Sequence, residues 1–248
     1  MDVISRNLLR LLRIGITKRQ EPLEPLADWR WRELLNRAEG LHVADRTYDG
    51  IILSQDQFFV CRDYQTLSLW KQLAYTASAT STETQAPQHP HLSNPLLRRR
   101  FESIMSTADS PSQAQALLAR LVDISETMLT SGLPLRKMVE LCSVVTALHA
   151  SDAPPCAAQI SEWADKLCMG TMARAIGSFL TTYLGLPADQ QLLPAEDGQL
   201  SHRLAEAIDS SLPGGACRTS ARYFRFFPTE AATTFVSGFA DMLSQVEE

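Results

Sequence analysis

The feature of the chain that most constrains its fold is a nearly unbroken succession of helical patterns after residue 94, separated from one another by glycine or proline. Ser112 is placed to cap a helix that ends near Ser131, and Gly132 and Pro134 then mark the stop and the next start. Further helices are predicted over residues 157–168, 171–184, 200–211 and 229–246, the last with Thr229 as its N-cap. The pattern predicts a mainly α protein, a multi-helix, bundle-like array of roughly eight to ten helices of ordinary length.

The N-terminal residues also follow a helical period. Four aliphatic residues fall on one side of residues 3–14 and three arginines on the other: Ile4, Leu8, Leu11 and Leu12 against Arg6, Arg10 and Arg13. We expect this helix to dock on the core with its arginines in solvent, in preference to lying on a membrane surface. A linker with Pro22 and Pro25 follows, and Asp28 is predicted to cap a second helix through Glu39.

Two stretches before residue 94 do not show a clear helical period. The apolar runs 51–53 and 58–60 are too short for periodicity to separate a strand from a helical turn, so one small β-hairpin near residues 51–61 stays open. Residues 76–93 have little apolar surface to bury, which is typical of a flexible connector. His89 and His91 in this stretch have the spacing of metal ligands, but an exposed loop is favoured because no third ligand is near. We therefore expect an N-terminal helical region at 1–75, the connector at 76–93 and a C-terminal helical domain at 94–248.

Charge and cysteine usage narrow the functional classes. The formal net charge of -5 disfavours general binding to nucleic acid. The cysteines lack the C-x-x-C spacing of zinc or redox sites, and we interpret them as reduced, mostly buried thiols of a cytoplasmic protein: Cys61, Cys142, Cys156, Cys168 and Cys217. Arg10 and Arg13 interrupt the leucine-rich start, and no apolar stretch is long enough to span a bilayer. We therefore expect neither a signal peptide nor a membrane partner.

Several segments of the chain follow one another in the order found in a known family. They are LLRLLRIG with DWRWRELLNRAEGLHV, then SNPLLRRRFESI, SGLPLRKMVELCSVVTALHA, YLGLP and ARYFRFFPTEA. In this order they resemble the helical, non-catalytic parts of the uncharacterised nucleotidyltransferase family common in Bacteroidetes. The Gly-x-x-Leu-Arg pattern of that family is carried here by Gly132, Leu135 and Arg136.

The same resemblance implies catalytic elements that this chain does not contain. It implies a Gly-Ser loop for the nucleotide phosphates and an Asp-x-Asp/Glu pair with a third carboxylate, which hold the metal ions that neutralise charge during phosphoryl transfer. No aspartate here has Asp or Glu two residues later, and the Gly177–Ser178 pair lies within a helical pattern. Residues 71–93, where the catalytic core would be inserted, are too few for a compact domain of roughly 50 residues or more. We interpret the chain as a family member that kept its helical flanks and lost its catalytic core.

The expected function is that of a non-catalytic interaction or accessory module, which binds a protein partner or a second copy of itself. We expect no catalytic residue, no metal and no cofactor. The alternative is a residual nucleotidyltransferase, or a nucleotide-binding protein with a non-standard site. The candidate ligand contacts are Arg136, Glu140, Arg222 and Arg225.

Each candidate pair also has a structural interpretation. Arg136 and Glu140 have the spacing of an ion pair on a helix, which is favoured over a phosphate contact. Arg222 and Arg225 alternate with aromatic residues, as in proteins that bind single-stranded nucleic acid. We favour an extended segment in which the aromatic side chains enter the core and the arginines stay in solvent. The basic run Arg98–Arg100 is interpreted in the same way, given the acidic net charge.

Overall fold

The structure, a computed structural model, describes the backbone of residues 1–57, 60–61, 63–81, 92–106, 112–151, 155–195, 198–209 and 216–244, and their side chains except at 77–81, 209, 216–218 and 239–244. These residues form twelve α-helices and one short 3-10 helix, with no strand among them. The α-helices are α1 (Val3–Thr17), α2 (Asp28–Gly40), α3 (Ala44–Leu53), α4 (Tyr64–Ser81), α5 (Pro95–Met105), α6 (Gln113–Thr130), α7 (Leu135–His149), α8 (Ala157–Lys166), α9 (Gly170–Leu184), α10 (Gln199–Asp209), α11 (Ala216–Tyr223) and α12 (Pro228–Ser244). The prediction of a mainly α protein is confirmed.

The chain divides into two compact units, and the first comprises Met1–Ala86 with Leu180–Pro187. Within it, α1 packs most extensively on α3. A Cβ atom added to Gly50 would lie 2.1 Å from the carbonyl oxygen of Leu11, and one added to Gly15 would lie 2.3 Å from that of Arg46. The two helix backbones therefore touch where the helices cross, and only glycine at these two positions leaves room for that approach.

The arginine side of α1 is neutralised by the linker that follows the helix. Arg6 makes two hydrogen bonds of 2.9 Å to the carboxylate of Glu24, and Arg10 lies 3.1 Å from the same carboxylate. Arg13 lies 3.1 Å from Glu21. The expectation of solvated arginines is therefore corrected, because the linker folds back along α1 and places two carboxylates against them.

The β-hairpin that the sequence left open near residues 51–61 is wrong for the described part of that segment. Residues 51–53 end α3 and residues 54–57 form a turn, while Phe58, Phe59 and Arg62 lie outside the described residues. Ile51 is buried, whereas Ile52 and Leu53 are exposed. Three successive apolar side chains on a helix cannot all face the core, so this run is the end of an amphipathic helix.

The first residues of the connector expected at residues 76–93 are helical. Helix α4 continues through Ser81, so residues 76–81 are helical, and residues 82–91, with His89 and His91, lie outside the described part of the chain. Low hydrophobicity predicts poor burial but not the absence of helix, and the alanines at 77 and 79 favour helix strongly. The boundaries 1–75, 76–93 and 94–248 stay predictions.

The second unit comprises Pro87–Phe179 and Ala188–Glu248, and α6 contacts α7, α8, α11 and α12 within it. The start of α6 is a capping box: the Ser112 hydroxyl accepts the amide of Gln115 at 3.2 Å, and the Gln115 side chain accepts the amide of Ser112 at 2.7 Å. Gly132 follows α6 with φ of 102°, as predicted for a stop. The last helix begins at Pro228, one residue before Thr229, because proline suits the first helical position.

Candidate functional site

Two of the candidate ligand contacts lie on α7 and are bonded to each other. Nε of Arg136 donates to Oε1 of Glu140 at 2.8 Å, and the Arg136 side chain is 21% exposed. On the same helix, Nζ of Lys137 lies 2.8 Å from a carboxylate oxygen of Asp123 and 2.8 Å from the hydroxyl of Thr127, both on α6. The ion pair that the spacing predicts is present, and the neighbouring lysine fastens α7 to α6. A ligand contact at Arg136 or Glu140 stays a prediction.

The other two candidates, Arg222 and Arg225, lie near the C-terminal end of α11 and in the turn after it, and both are exposed. Tyr223 is buried, and its ring centroid lies 6.1 Å from that of Phe226, which is also buried. Phe227 is fully buried. The aromatic side chains therefore mostly enter the core and the arginines stay at the surface, as favoured. The expected extended segment is wrong, because a helix end and a turn sort these side chains.

Helix α11 is fixed to the C-terminal end of α6. The Thr219 hydroxyl donates to the carbonyl oxygen of Leu129 at 2.7 Å and approaches that of Thr130 at 3.2 Å. Carbonyls in the last turn of a helix lack partners within the helix, so a buried hydroxyl that donates to them stabilises the helix end. The contact positions the α11–α12 connection, which carries Arg222 and Arg225.

Among the described acidic side chains of the second unit, the most buried is Glu230, in the first turn of α12, with 1% of its surface exposed. Its carboxylate accepts the backbone amides of Ser93 and of Asn94, the latter at 3.1 Å. Asn94 in turn caps α5 through the amides of Leu96 and Leu97. Glu230 therefore ties the start of α12 to the start of α5 across more than a hundred residues of sequence.

This contact joins two of the segments that carry the family resemblance, SNPLLRRRFESI and ARYFRFFPTEA. Burial raises the pKa of the Glu230 carboxyl, the two accepted amides oppose the rise, and the nearby charge of Glu126 adds to it. With its oxygens directed at backbone amides, the carboxylate acts as a clasp between helices. Sequence reasoning missed Glu230, because an acid in a first helical turn is ordinarily exposed; the only signal was its place in one of these segments.

The outward face of α12 carries no charged side chain over residues 228–237. Its exposed residues include Ala232, Phe235 and Val236, of which Phe235 is 42% and Val236 67% exposed. Glu230, the one ionisable residue in this stretch, is buried. Leu96, at the tied end of α5, is 65% exposed. A helix at a protein surface ordinarily turns charged and polar residues outward, whereas α12 exposes uncharged and partly apolar side chains over these residues.

The cysteines divide into two groups. Cys61 and Cys142 are buried, whereas Cys156 and Cys168 are exposed, which corrects the expectation of mostly buried thiols for two of the four whose side chains are described. Burial raises the pKa of Cys142 to about 11. Within the described residues, no group of three or more His, Cys, Asp or Glu side chains is arranged to hold a metal ion.

Comparisons with protein-family models, with curated proteins and with solved structures found no match to this chain. The resemblance to nucleotidyltransferase flanks therefore stays a prediction. Among the described helices, none has both the length and the apolar character needed to cross a membrane.

Proposed function

We propose that this chain is a non-catalytic helical interaction module that acts by binding a protein, and that its kinship with nucleotidyltransferases is confined to their helical flanks. The observation that carries the proposal is the uncharged outer face of α12, with Ala232, Phe235 and Val236 exposed. Covering such a face with another protein lowers the free energy, because apolar surface is removed from water. Full burial of a valine or phenylalanine side chain contributes about 1.5–3 kcal/mol relative to leaving it in water.

The position of α12 supports this role. Its first turn is held to α5 by the buried Glu230 and to the α6 end by way of α11, so the outer face is presented by a fixed helix. A preorganised face binds more tightly than a mobile one, since less conformational freedom is lost on association. By contrast, the guanidinium of Arg136 already binds the Glu140 carboxylate at 2.8 Å, so a phosphate group there would compete with that carboxylate.

The proposal is tested by photo-crosslinking in the source cells at native expression level. A photo-reactive amino acid at Ser237, exposed on the outer face of α12, is compared with one at Ala158, exposed on α8. We expect a protein adduct at the first position and none at the second. The crosslinked protein, or the chain itself, is then purified, and its dissociation constant is measured with the wild type, Val236→Glu and Ala158→Glu. Val236→Glu is expected to weaken binding by about tenfold or more, and Ala158→Glu to leave it unchanged.

Equal adducts at the two positions, or equal affinities for wild type and Val236→Glu, would contradict the proposal. The nucleotide alternative is tested in the same preparation by calorimetric titration with ATP and Mg²⁺. Micromolar binding that Arg136→Ala abolishes, or release of pyrophosphate, would establish that alternative and remove the claim that the chain is non-catalytic.

A further inference from the structure

We infer that residues 21–26 act as a built-in ligand, and that the surface of α1 beneath them is a binding site for an acidic, proline-containing peptide of another protein. These residues belong to the linker, residues 18–27, which joins the end of α1 to the start of α2. The site lies within the first unit and is independent of the proposed function, which concerns α12 in the second unit.

The linker contains the repeat Glu-Pro-Leu-Glu-Pro-Leu over residues 21–26. The surroundings of its side chains follow the same three-residue period. Both prolines are exposed, Leu23 is buried and Leu26 is partly buried, and both glutamates pair with arginines of α1. Three residues per turn is the period of a polyproline II helix, in which each residue type of this repeat occupies one face. The segment therefore has an acidic face, an apolar face and a solvent face.

The backbone of the linker is held by two side-chain amides. The fully buried Asn7 accepts the amide of Glu24 through Oδ1 and donates through Nδ2 to the carbonyl oxygen of the same residue, both at 2.9 Å. Gln57 accepts the amide of Leu23 at 3.2 Å and donates to the carbonyl oxygen two residues earlier at 2.8 Å. Within the described part of the chain, no backbone–backbone hydrogen bond involves residues 19–26. The segment is therefore recognised as an extended peptide is, through its peptide groups and alternate side chains.

Three arginines of α1 supply the charge of the site, and the built-in ligand satisfies them unequally. Arg6, Arg10 and Arg13 follow one another at about one turn along one side of the helix. Glu24 lies 2.9 Å from Arg6 and 3.1 Å from Arg10. Nε of Arg13 lies 3.1 Å from Glu21, yet this buried N–H has no hydrogen-bond acceptor. Because a buried donor without an acceptor is costly, a peptide that places its carboxylate in line with this N–H gains a contact that the linker does not make.

The connections of the linker favour a peptide of another protein over two other occupants. The linker is tied at Thr17 to α1 and at Asp28 to α2, so it reaches a second copy only if one of these helices leaves its own unit. Helix α1 is packed backbone to backbone on α3, which opposes such an exchange. A nucleic acid offers phosphates to the arginines, but it has no peptide groups for Asn7 and Gln57. A flexible acidic segment of another protein meets neither obstacle.

The linker competes with an incoming peptide and so controls access to the site. Because it is tied at both ends, its effective concentration is on the order of millimolar. The apparent affinity for a separate peptide is reduced to the extent that the linker keeps the site closed. Weakening the contacts of the linker should therefore raise the affinity for the peptide, whereas removing an arginine of the site should lower it. A purely structural linker predicts neither change.

The test is a titration of the full chain with a fluorescent peptide that has the sequence of residues 20–27, followed by anisotropy. Glu24→Lys, which is repelled by Arg6 and Arg10, should bind the peptide at least about tenfold more tightly than the wild type does. Glu39→Lys makes the same charge change at an exposed position of α2 and should bind as the wild type does. Adding Arg10→Ala to Glu24→Lys should weaken binding severalfold. A peptide with both glutamates replaced by glutamine should bind more weakly, and added salt should reduce the difference between the two peptides.

Several outcomes would overturn the inference. No binding by Glu24→Lys, equal affinities for Glu24→Lys and Glu39→Lys, or equal binding of the glutamate and glutamine peptides would each do so. So would a dimer of Glu24→Lys that the peptide dissociates, since the occupant would then be a second copy.

Hydrogen exchange of the wild type decides the matter if Glu24→Lys does not fold. The amides of Leu23 and Glu24, which are bonded to side chains, should exchange through local opening of the linker, faster than global unfolding allows. Exchange of these amides only on global unfolding would show that the linker does not leave the site, and would overturn the inference. Both experiments concern the first unit, so their failure would leave the proposed function of α12 standing.

Discussion

The crossing of α1 and α3 predicts a large effect from the smallest substitution available, Gly50→Ala. The new Cβ would lie 2.1 Å from the Leu11 carbonyl oxygen and 2.8 Å from its carbonyl carbon, whereas ordinary contact begins near 3.4 Å. Both of these are backbone atoms, so no side chain can rotate out of the way, and the helices must separate by about 1 Å. Overpacking of this kind costs about 1–3 kcal/mol, against which alanine returns about 0.5–1 kcal/mol of helix propensity. Because the clash is with backbone, its cost should fall in the upper half of that range, and we expect a net loss of about 1–2 kcal/mol in the free energy of unfolding.

Gly40→Ala is the matched control. A Cβ at Gly40, the last residue of α2, would meet nothing within 4 Å. The same substitution in the same unit should therefore raise the free energy of unfolding by between zero and about 1 kcal/mol.

Urea unfolding followed by tryptophan fluorescence measures both variants. Trp29, Trp31 and Trp70 all lie in the first unit, so the signal reports mainly on the unit that contains the crossing. A Gly50→Ala protein as stable as the wild type, or more stable than the Gly40→Ala protein, would refute the close approach of the two backbones. Gly15→Ala should also destabilise, and the double variant should lose less than the two single losses together, because one separation of the helices relieves both contacts.

Three further predictions concern the clasp, the cap and the thiols. Burial raises the pKa of Glu230 above its ordinary value of 4.5, so the free energy of unfolding should fall as pH rises from 4.5 through the raised pKa. Urea unfolding at a series of pH values should show this decrease in the wild type, and Glu230→Gln should remove it. An unchanged pH dependence in Glu230→Gln would contradict the burial. Ser112→Ala should lower stability by about 1 kcal/mol in the same assay, whereas a neutral result would speak against the capping box. Iodoacetamide at pH 8 should label Cys156 and Cys168 rapidly and Cys142 only on unfolding. Mass spectrometry of digested samples measures the labelling. Rapid labelling of Cys142 in the native protein would be inconsistent with its burial.

Much of the second unit follows from local signals in the sequence. Ser112 and Gln115 supply the start of α6 from residues three apart, and Gly132 supplies its end, so both are visible without knowledge of the fold. In α3 the local signal fails. Its buried positions include Thr47 and Gly50, and a search for apolar periodicity does not find them; Gly50 packs against α1 because it has no side chain.

The charged groups were harder to predict, because their environment depends on residues distant in sequence or on a segment that appeared to be only a linker. Glu24 lies in the linker, between Pro22 and Pro25, yet its carboxylate pairs with both Arg6 and Arg10. Glu230 is buried by a contact with Ser93 and Asn94, more than a hundred residues earlier. In both cases the local sequence does not reveal the partner, and tertiary folding supplies it; for Glu230 the accepted amides offset part of the cost of burial.

The central claim is that the outer face of α12 is the surface by which this chain binds a protein. Hydroxyl-radical footprinting of the purified complex measures it directly, with Leu69, exposed on α4 of the first unit, as the internal reference. We expect labelling of Val236 and Leu96 to fall sharply when the complex forms, while labelling of Leu69 stays the same. Unchanged labelling of Val236 in a complex that is demonstrably formed would contradict the claim.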